Sequence, residues 1–403
     1  MLSQSTITTI KATVPALEAY GKDITTAFYK KLFETHPQLL NIFNHTNQQK
    51  GRQQNALATT VLAAAKYIDQ LEVLLPAVKQ IAHKHRSLQV LPEHYPVVGE
   101  TLLWAIKDVL GDAATDEILN AWGEAYGVIA DIFISVEKEM YEEAAAELGW
   151  EGYKSFIISK KVQESDNITS FYLKAAAGAK LPAFNPGQYI TVRVSIPGEQ
   201  YLLNRQYSLT ALPNEDYYRI SVKREAIEGS PAGKVSNYLH DFINEGDAIE
   251  VTAPAGDFTI DLYQSKPIHL IAAGVGITPF MSMLHTLADA KSHRDITVVH
   301  AVQNEHVQAF HQELAALQNK LSNFSASFYY ESGDGCEKQE SFQYAAGRIN
   351  EETLQQLDST GIYYVCGPVP FMQYVVSTLY KMGISEEQVK YEFFGPAMAI
   401  EQA

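Results

Sequence analysis

The run Ile268-His269-Leu270-Ile271-Ala272-Ala273-Gly274-Val275-Gly276-Ile277-Thr278-Pro279 joins a buried strand to a glycine turn and the start of a helix. Its first half is almost unbroken apolar, as in a strand covered on both faces. The glycines let the backbone approach a pyrophosphate closely, and a helix N-terminus behind them supplies amide donors. Pro279 suits a first helical turn but stands where G-x-G-x-x-G has its last glycine. Alone, the turn is also compatible with a tight strand-to-helix connection. Downstream the rhythm repeats. A helix to Ala290 is followed by Ile296–Val302, a helix to Asn319, Ser325–Tyr330, Tyr363–Cys366, a helix over Pro370–Met382, and Val389–Phe393. Strands alternating with helices predict a parallel sheet with crossover helices, an α/β domain over residues 263–403.

Upstream the texture differs. Short β-rich runs (Phe156–Val162, Ser170–Ala175, Gln188–Ile196, Gln206–Ala211, Tyr218–Glu225, Ile249–Thr252) are separated by turn clusters, with one short helix near Lys234–Ile243. This predicts a small antiparallel barrel over 149–262. Arg205-Gln206-Tyr207-Ser208, after Gly187-Gln188-Tyr189, suits a flavin: Arg for pyrophosphate, Tyr to pack on the isoalloxazine, Ser to bond near its redox-active nitrogen. Four residues are a weak pattern alone. Val222-Lys223-Arg224 and Gly233-Lys234-Val235-Ser236-Asn237 strengthen it, because Val235 and Ser236 open a helix whose N–H groups can take diphosphate oxygens.

Residues 1–148 read as all-helical, rich in Ala, Leu, Glu and Lys. Leu74, Val78, Ile81, His85 and Leu88 advance by fours and threes, which sets His85 on the apolar stripe of one helix. The stripe does not distinguish a core histidine bonded to a carbonyl from a metal ligand. Gln53, Leu57, Thr60 and Ala64 share another face, and Tyr29 lies among Ile24, Phe28, Leu32 and Phe33, where its hydroxyl needs a partner. Glu137, between Phe133 and Met140 on a stripe, is either a paired inward carboxylate or an end-of-helix Glu with its head in water.

Net charge of −16 argues against nucleic acid or an anionic membrane as main partner. Two cysteines, Cys336 and Cys366, make no disulfide framework and suggest a reducing compartment. Met1 to Tyr20 lacks the apolar core of a signal peptide, and no stretch reaches the length of a membrane span. A cytoplasmic monomer with no obligate protein partner is expected.

The helical third, with Phe43 in Asn41-Ile42-Phe43-Asn44, resembles a globin, and the whole chain resembles the flavohaemoglobins of bacteria and yeast. That resemblance implies haem b, FAD and NAD(P)H as cofactors. It makes His85 the iron ligand, Tyr95 and Glu137 its hydrogen-bonded partners, Phe43 the ring-packing phenylalanine, Tyr29 and Gln53 hydrogen-bonders to O₂, Leu57 an apolar gate, and Lys84 a residue tied to cofactor potential. Residues 152–262 resemble ferredoxin-NADP reductase-type modules. Tyr364-Val365-Cys366-Gly367-Pro368 matches that family's segment beside the nicotinamide, making Cys366 a positional contact rather than a nucleophile. Tyr391-Glu392-Phe393-Phe394-Gly395-Pro396 matches its closing motif, with Phe394 against the flavin; relatives often have Cys at the position of Phe393. Gln303-Asn304-Glu305-His306, without an Arg pair for a 2′-phosphate, leans toward NADH. The activity implied is nitric oxide dioxygenase, in which ferrous haem carrying O₂ oxidises NO to nitrate; no residue identifies NO itself. An NADH-driven reductase of O₂, quinone or lipid hydroperoxide, with a lipid guest in the apolar distal pocket, remains open, as does a haem-based gas sensor or carrier.

Overall fold

Seven α-helices precede Gly149 among the residues described by the computed structural model, which are 2–175, 181–226, 232–332 and 342–395. They are α1 (Gln4–Ala12), α2 (Val14–Thr35), α3 (His45–Gln49), α4 (Arg52–Lys66), α5 (Leu75–Leu88), α6 (His94–Leu110) and α7 (Asp116–Leu148). Side-chain caps start several of them: Ser3 accepts from the Thr6 amide at α1, Asn44 from the Asn47 amide at α3 and Thr115 from the Ile118 amide at α7. Gly149, at φ +57°, ends α7 in the left-handed conformation that glycine adopts without strain. The apolar stripes meet in a core of Ile10, Ile24, Phe28, Leu32, Ile106 and Trp122, into which Trp122 Nε1 carries a bond to Thr13 Oγ1 (3.3 Å). No helix among the described residues is long and apolar enough to cross a membrane.

The helical region to Gly152 dominates one compact unit, which also takes in Arg193–Arg205 and Gly395; Tyr153–Val192 and Gln206–Phe394 make the other. The β-rich region builds a six-stranded sheet from β1 (Tyr153–Ser165), β2 (Ile168–Ala175), β3 (Tyr189–Val194), β4 (Leu203–Ser208), β5 (Tyr218–Lys223) and β6 (Ala248–Thr252), in the order β4-β3-β6-β1-β2-β5, with α8 (Lys234–Phe242) between β5 and β6. The strand expected to run to Ala211 ends at Ser208, because the chain there changes partner. Leu209 N bonds to Gln188 O and Thr210 N to Arg219 O, so the sheet's first strand turns onto its last and closes the barrel.

The second six-stranded sheet is parallel, in the order β10-β9-β8-β7-β11-β12. It comprises β7 (Ile268–Ala273), β8 (Ile296–Val302), β9 (Phe324–Tyr330), β10 (Gln343–Ala346), β11 (Ile362–Cys366) and β12 (Val389–Glu392), with α9 (Thr278–Asp289), α10 (His311–Gln318), α11 (Glu351–Gln355) and α12 (Val369–Lys381) as crossovers. β10 and α11 are not anticipated by the sequence pattern: the edge strand has no buried residue and the helix is barely more than a turn. Together the two sheets and the helical region make the expected all-α, antiparallel and parallel α/β architecture.

Within the second unit, a buried guanidinium ties the two sheets together. Arg219 on β5 donates from Nη2 and Nη1 to both oxygens of Glu313 on α10 (2.7 and 3.0 Å), and His285 Nε2 on α9 bonds to the same carboxylate. Burial opposes the charge on Glu313, but His285 and Arg219 outweigh it and hold the carboxyl down at about 2, against an ordinary 4.5. A carboxyl depressed on folding contributes stability above its unfolded pKa and loses it as the pH falls toward the folded value. Glu313→Gln should therefore destabilise this unit at pH 7 by on the order of 3 kcal/mol, since it takes from the buried Arg219 the carboxylate it is hydrogen-bonded to. Between pH 5 and 3 the gap between native and variant should narrow. Urea unfolding of both proteins across that range reads it, and a constant gap would refute the assignment.

Candidate functional site

His85, Tyr95 and Glu137 come from three helices and meet on one oxygen. His85 Nδ1–H donates to Glu137 Oε1 at 2.7 Å, and the Tyr95 hydroxyl donates to the same atom at 2.6 Å; the phenolic oxygen lies 3.3 Å from Nδ1. Periodicity brings the groups there. Phe133 sits one turn before Glu137 on α7 and packs against the rings of both His85 (5.8 Å) and Tyr95 (6.4 Å). Burial first, then the neighbouring carboxylate, pushes the Tyr95 phenol well above its ordinary value, so it remains a donor. Tyr126, which sequence reasoning missed, donates to the Tyr95 carbonyl at 2.6 Å. Its ring lies where a side chain on Gly99 would be, 2.5 Å from an added Cβ. The i, i+4 spacing of Tyr95 and Gly99 was visible in the sequence, but only packing gives it meaning.

The donor set fits a haem iron. The Glu137 side chain is 3% exposed and that of His85 32%, so the carboxylate is closed off while part of the imidazole is open. With Nδ1 committed, Nε2 is the nitrogen left to a metal. Lys84, beside it on α5, is half-buried and donates to the Gly395 carbonyl.

Tyr29 on α2 is buried, edge-on to Phe43 (5.8 Å) and stacked with Phe33 (5.9 Å). Desolvation raises its phenol strongly, while hydrogen bonds with Gln53 and Gln48 act in the opposite sense; the hydroxyl stays protonated. Gln53 opens α4, and Leu57, one turn on, is half-buried against the core that includes Phe33 and Phe43. Gln48, on the short helix α3, is a second residue missed by sequence reasoning, since its five-residue helix is too short for a stripe.

In the barrel, Tyr189 begins β3 and is buried. Arg205, Gln206 and Tyr207 lie half-buried along β4, and Ser208 is buried at its end. Arg205 Nη1 donates to the Asn204 carbonyl (2.7 Å). Lys223 ends β5, half-buried. Val235 and Ser236 occupy the first turn of α8, with Ser236 Oγ accepting from the Glu225 amide (3.2 Å) and donating to the Gly233 carbonyl (3.1 Å). A guanidinium, helix-start amides and a hydroxyl are donors and a cation, the chemistry a flavin diphosphate requires.

The glycine turn Gly274–Ile277 is a single 3₁₀ turn, and α9 begins at Thr278 with Pro279 in its first turn. Gly274 has φ +54°, and a Cβ on Gly276 would sit 2.2 Å from the Cys366 carbonyl oxygen. The turn and the Cys366-Gly367 backbone thus touch at the C-terminal ends of adjacent strands β7 and β11, the edge where open α/β sheets bind ligands. Val275 is half-buried, Ile277 and Pro279 buried, and Thr278 Oγ1 bonds the Val275 carbonyl (2.9 Å). Burial, then Glu392, holds the Cys366 thiol far above its ordinary pKa, which fits a packed contact and not a nucleophile. Pro368 is exposed, Phe393 half-buried against Tyr391 (5.6 Å), and Phe394 exposed. Gly395 is half-buried, and Pro396 lies outside the described residues.

Three family models match the chain in succession: globin over residues 26–133, oxidoreductase FAD-binding domain over 155–260, and oxidoreductase NAD-binding domain over 270–377. A flavohemoprotein of Bacillus cereus is 53% identical over the full length of both chains. Flavohemoprotein A of Dictyostelium discoideum is 48% identical, with 98% of each chain covered. The solved flavohemoglobin of Malassezia yamatoensis, with bound FAD and heme, superposes with a TM-score of 0.85 at 28% identity, covering 98% of this chain and all of its own. The FAD/NAD-binding domain of the nitric oxide dioxygenase of Vibrio cholerae is 36% identical over 60% of this chain and 99% of its own, with a TM-score of 0.54.

Proposed function

This chain belongs to the flavohaemoprotein family, and we propose that it works as a nitric oxide dioxygenase. It is an oxidoreductase that passes electrons from NAD(P)H through FAD to haem. The proposed modules are a globin at 1–148, the flavin barrel at 149–262 and the nicotinamide domain at 263–403. A monomeric, cytoplasmic holoenzyme goes with this reading.

One observation carries it: a histidine whose Nδ1–H is held by a buried carboxylate sits in the same chain as its own reductase. FAD, when bound, would supply the conversion of a hydride from NAD(P)H into single electrons, and haem held by His85 would supply the chemistry of O₂ with NO. The protein's part is tuning and placement. Glu137 Oε1 holds the Nδ1 proton of His85 and makes the ring a stronger donor, which favours oxygen activation over reversible carriage. Tyr29, kept protonated by burial, and Gln53 present donors that orient a diatomic ligand, while Phe43 and Leu57 keep that side apolar. Arg205, Val235 and Ser236 take the flavin diphosphate; the Gly274–Ile277 turn takes that of the nucleotide, Cys366-Gly367 borders the nicotinamide and Phe394 covers the flavin. NO as the substrate is supported by the likeness to the Vibrio cholerae enzyme.

The expected result is rapid NO consumption by the haem- and FAD-loaded protein in air-saturated buffer with NADH. Nitrate should form one for one, and activity should vanish without O₂ or NADH. Brisk NADH oxidation with slow NO loss would replace this reading by an O₂ or hydroperoxide reductase; very slow haem reduction would point to a sensor or carrier.

A further inference from the structure

His300 lies in the middle of the parallel sheet, on β8, opposite Ala272 of β7 and Phe328 of β9. It is fully buried, its ring edge-on to Phe328 at 6.2 Å. Its Nε2 is 2.9 Å from the carbonyl oxygen of Gly274, two residues beyond its strand partner and the first glycine of the nucleotide turn. A carbonyl only accepts, so Nε2 carries the proton and Nδ1 is the bare nitrogen. Nδ1 is buried and has no hydrogen-bond partner among the described residues. Burial holds the ring's pKa down at about 4, with the Gly274 bond opposing, so the imidazole is neutral throughout the working range and the donor is permanent.

A buried imidazole with one unsatisfied nitrogen is a poorer core residue than leucine or phenylalanine. What it supplies, and they cannot, is the bond to Gly274. That glycine sits at φ +54°, and its freedom leaves the following peptide with more than one accessible orientation. A trans peptide is planar, with its C=O and N–H pointing opposite ways. Anchoring the Gly274 oxygen on His300 therefore directs the Val275 N–H away from β8.

We propose that His300 is a positioning residue for the nicotinamide nucleotide: through the Gly274 carbonyl it fixes the turn's peptide so that its N–H groups meet the pyrophosphate. The inference rests on the NAD-binding domain and is independent of NO as the substrate.

ADP-ribose carries the pyrophosphate and AMP does not, so calorimetric titration of both into the haem- and FAD-loaded full chain isolates the turn. His300→Leu should weaken ADP-ribose by about tenfold and AMP by less than about twofold, the scale of one misdirected donor. The KM for NADH should rise in parallel, with kcat little changed. His300→Gln, whose amide nitrogen reaches about as far as Nε2, should restore ADP-ribose affinity; His300→Asn, which reaches only as far as Nδ1, should not. Undiminished ADP-ribose binding by His300→Leu, equal losses for both ligands, or failure of Gln to rescue would each overturn the proposal. If His300→Leu loses its FAD or does not fold, the Gln and Asn variants decide: indistinguishable ADP-ribose affinities would overturn it.

Discussion

His85→Ala is expected to yield protein with normal FAD content, little or no haem, and NO consumption reduced by about a thousandfold or more. The reason lies in the donor set. His85 is the side chain whose one ring nitrogen is fixed by Glu137 and Tyr95 while the other is left to a metal, and alanine offers nothing in its place. The residues proposed to hold flavin and nucleotide lie elsewhere in the chain, so NADH-driven reduction of ferricyanide, which takes electrons from flavin, should continue at close to the native rate. That split separates loss of the iron ligand from general misfolding. The variant also strips the 2%-exposed Glu137 of the His85 donor, so some loss of thermal stability in the helical unit is expected alongside. A variant that retained a haem spectrum with the native axial ligation would show that His85 is not the ligand.

How much of this was legible in the sequence depends on the range of the interaction. Spacings of three and four singled out His85 and Glu137, because a helix repeats every 3.6 residues and an ionisable group on an apolar stripe is conspicuous. That their side chains meet, 52 positions apart, is set by how α5 crosses α7, which no local pattern encodes. Tyr95 came only through family resemblance: it stands near the start of α6, where a tyrosine is unremarkable. Tyr126 and Gln48 carried no signal at all. In the barrel, propensity found the strands but not the change of partner after Ser208, since barrel closure is a property of the whole sheet. His300 sits in Ile296-Thr297-Val298-Val299-His300-Ala301-Val302, an ordinary strand run. Its role shows only once the next strand brings Gly274 within reach. The same holds for Arg219, Glu313 and His285, three separate polar residues in sequence that form one buried cluster in space.

Glu137→Gln tests whether the carboxylate tunes the iron's ligand or merely fills space. Glutamine keeps the shape and can accept from His85 Nδ1, but a neutral amide oxygen is a weaker acceptor than a carboxylate. The imidazole becomes a poorer donor, the ferric state loses stabilisation, and the haem midpoint potential should rise. NO turnover should fall by about 10–100-fold, the usual consequence of removing a partner that orients and charges a metal-binding histidine. Tyr95 supplies a sign test. Its hydroxyl donates to the same Oε1 that accepts from His85, so it competes for that oxygen's electron density. Tyr95→Phe should therefore leave the carboxylate a better acceptor and move the potential downward, opposite to Glu137→Gln, with a smaller effect on turnover. Opposite shifts are what a shared acceptor predicts, whereas a purely structural cluster would loosen in the same way whichever member was removed. Potentiometric titration of the two variants beside the native protein reads the signs directly. Shifts in the same direction would reduce the cluster to a packing feature, and an unchanged potential in Glu137→Gln would show that the carboxylate does not tune the histidine.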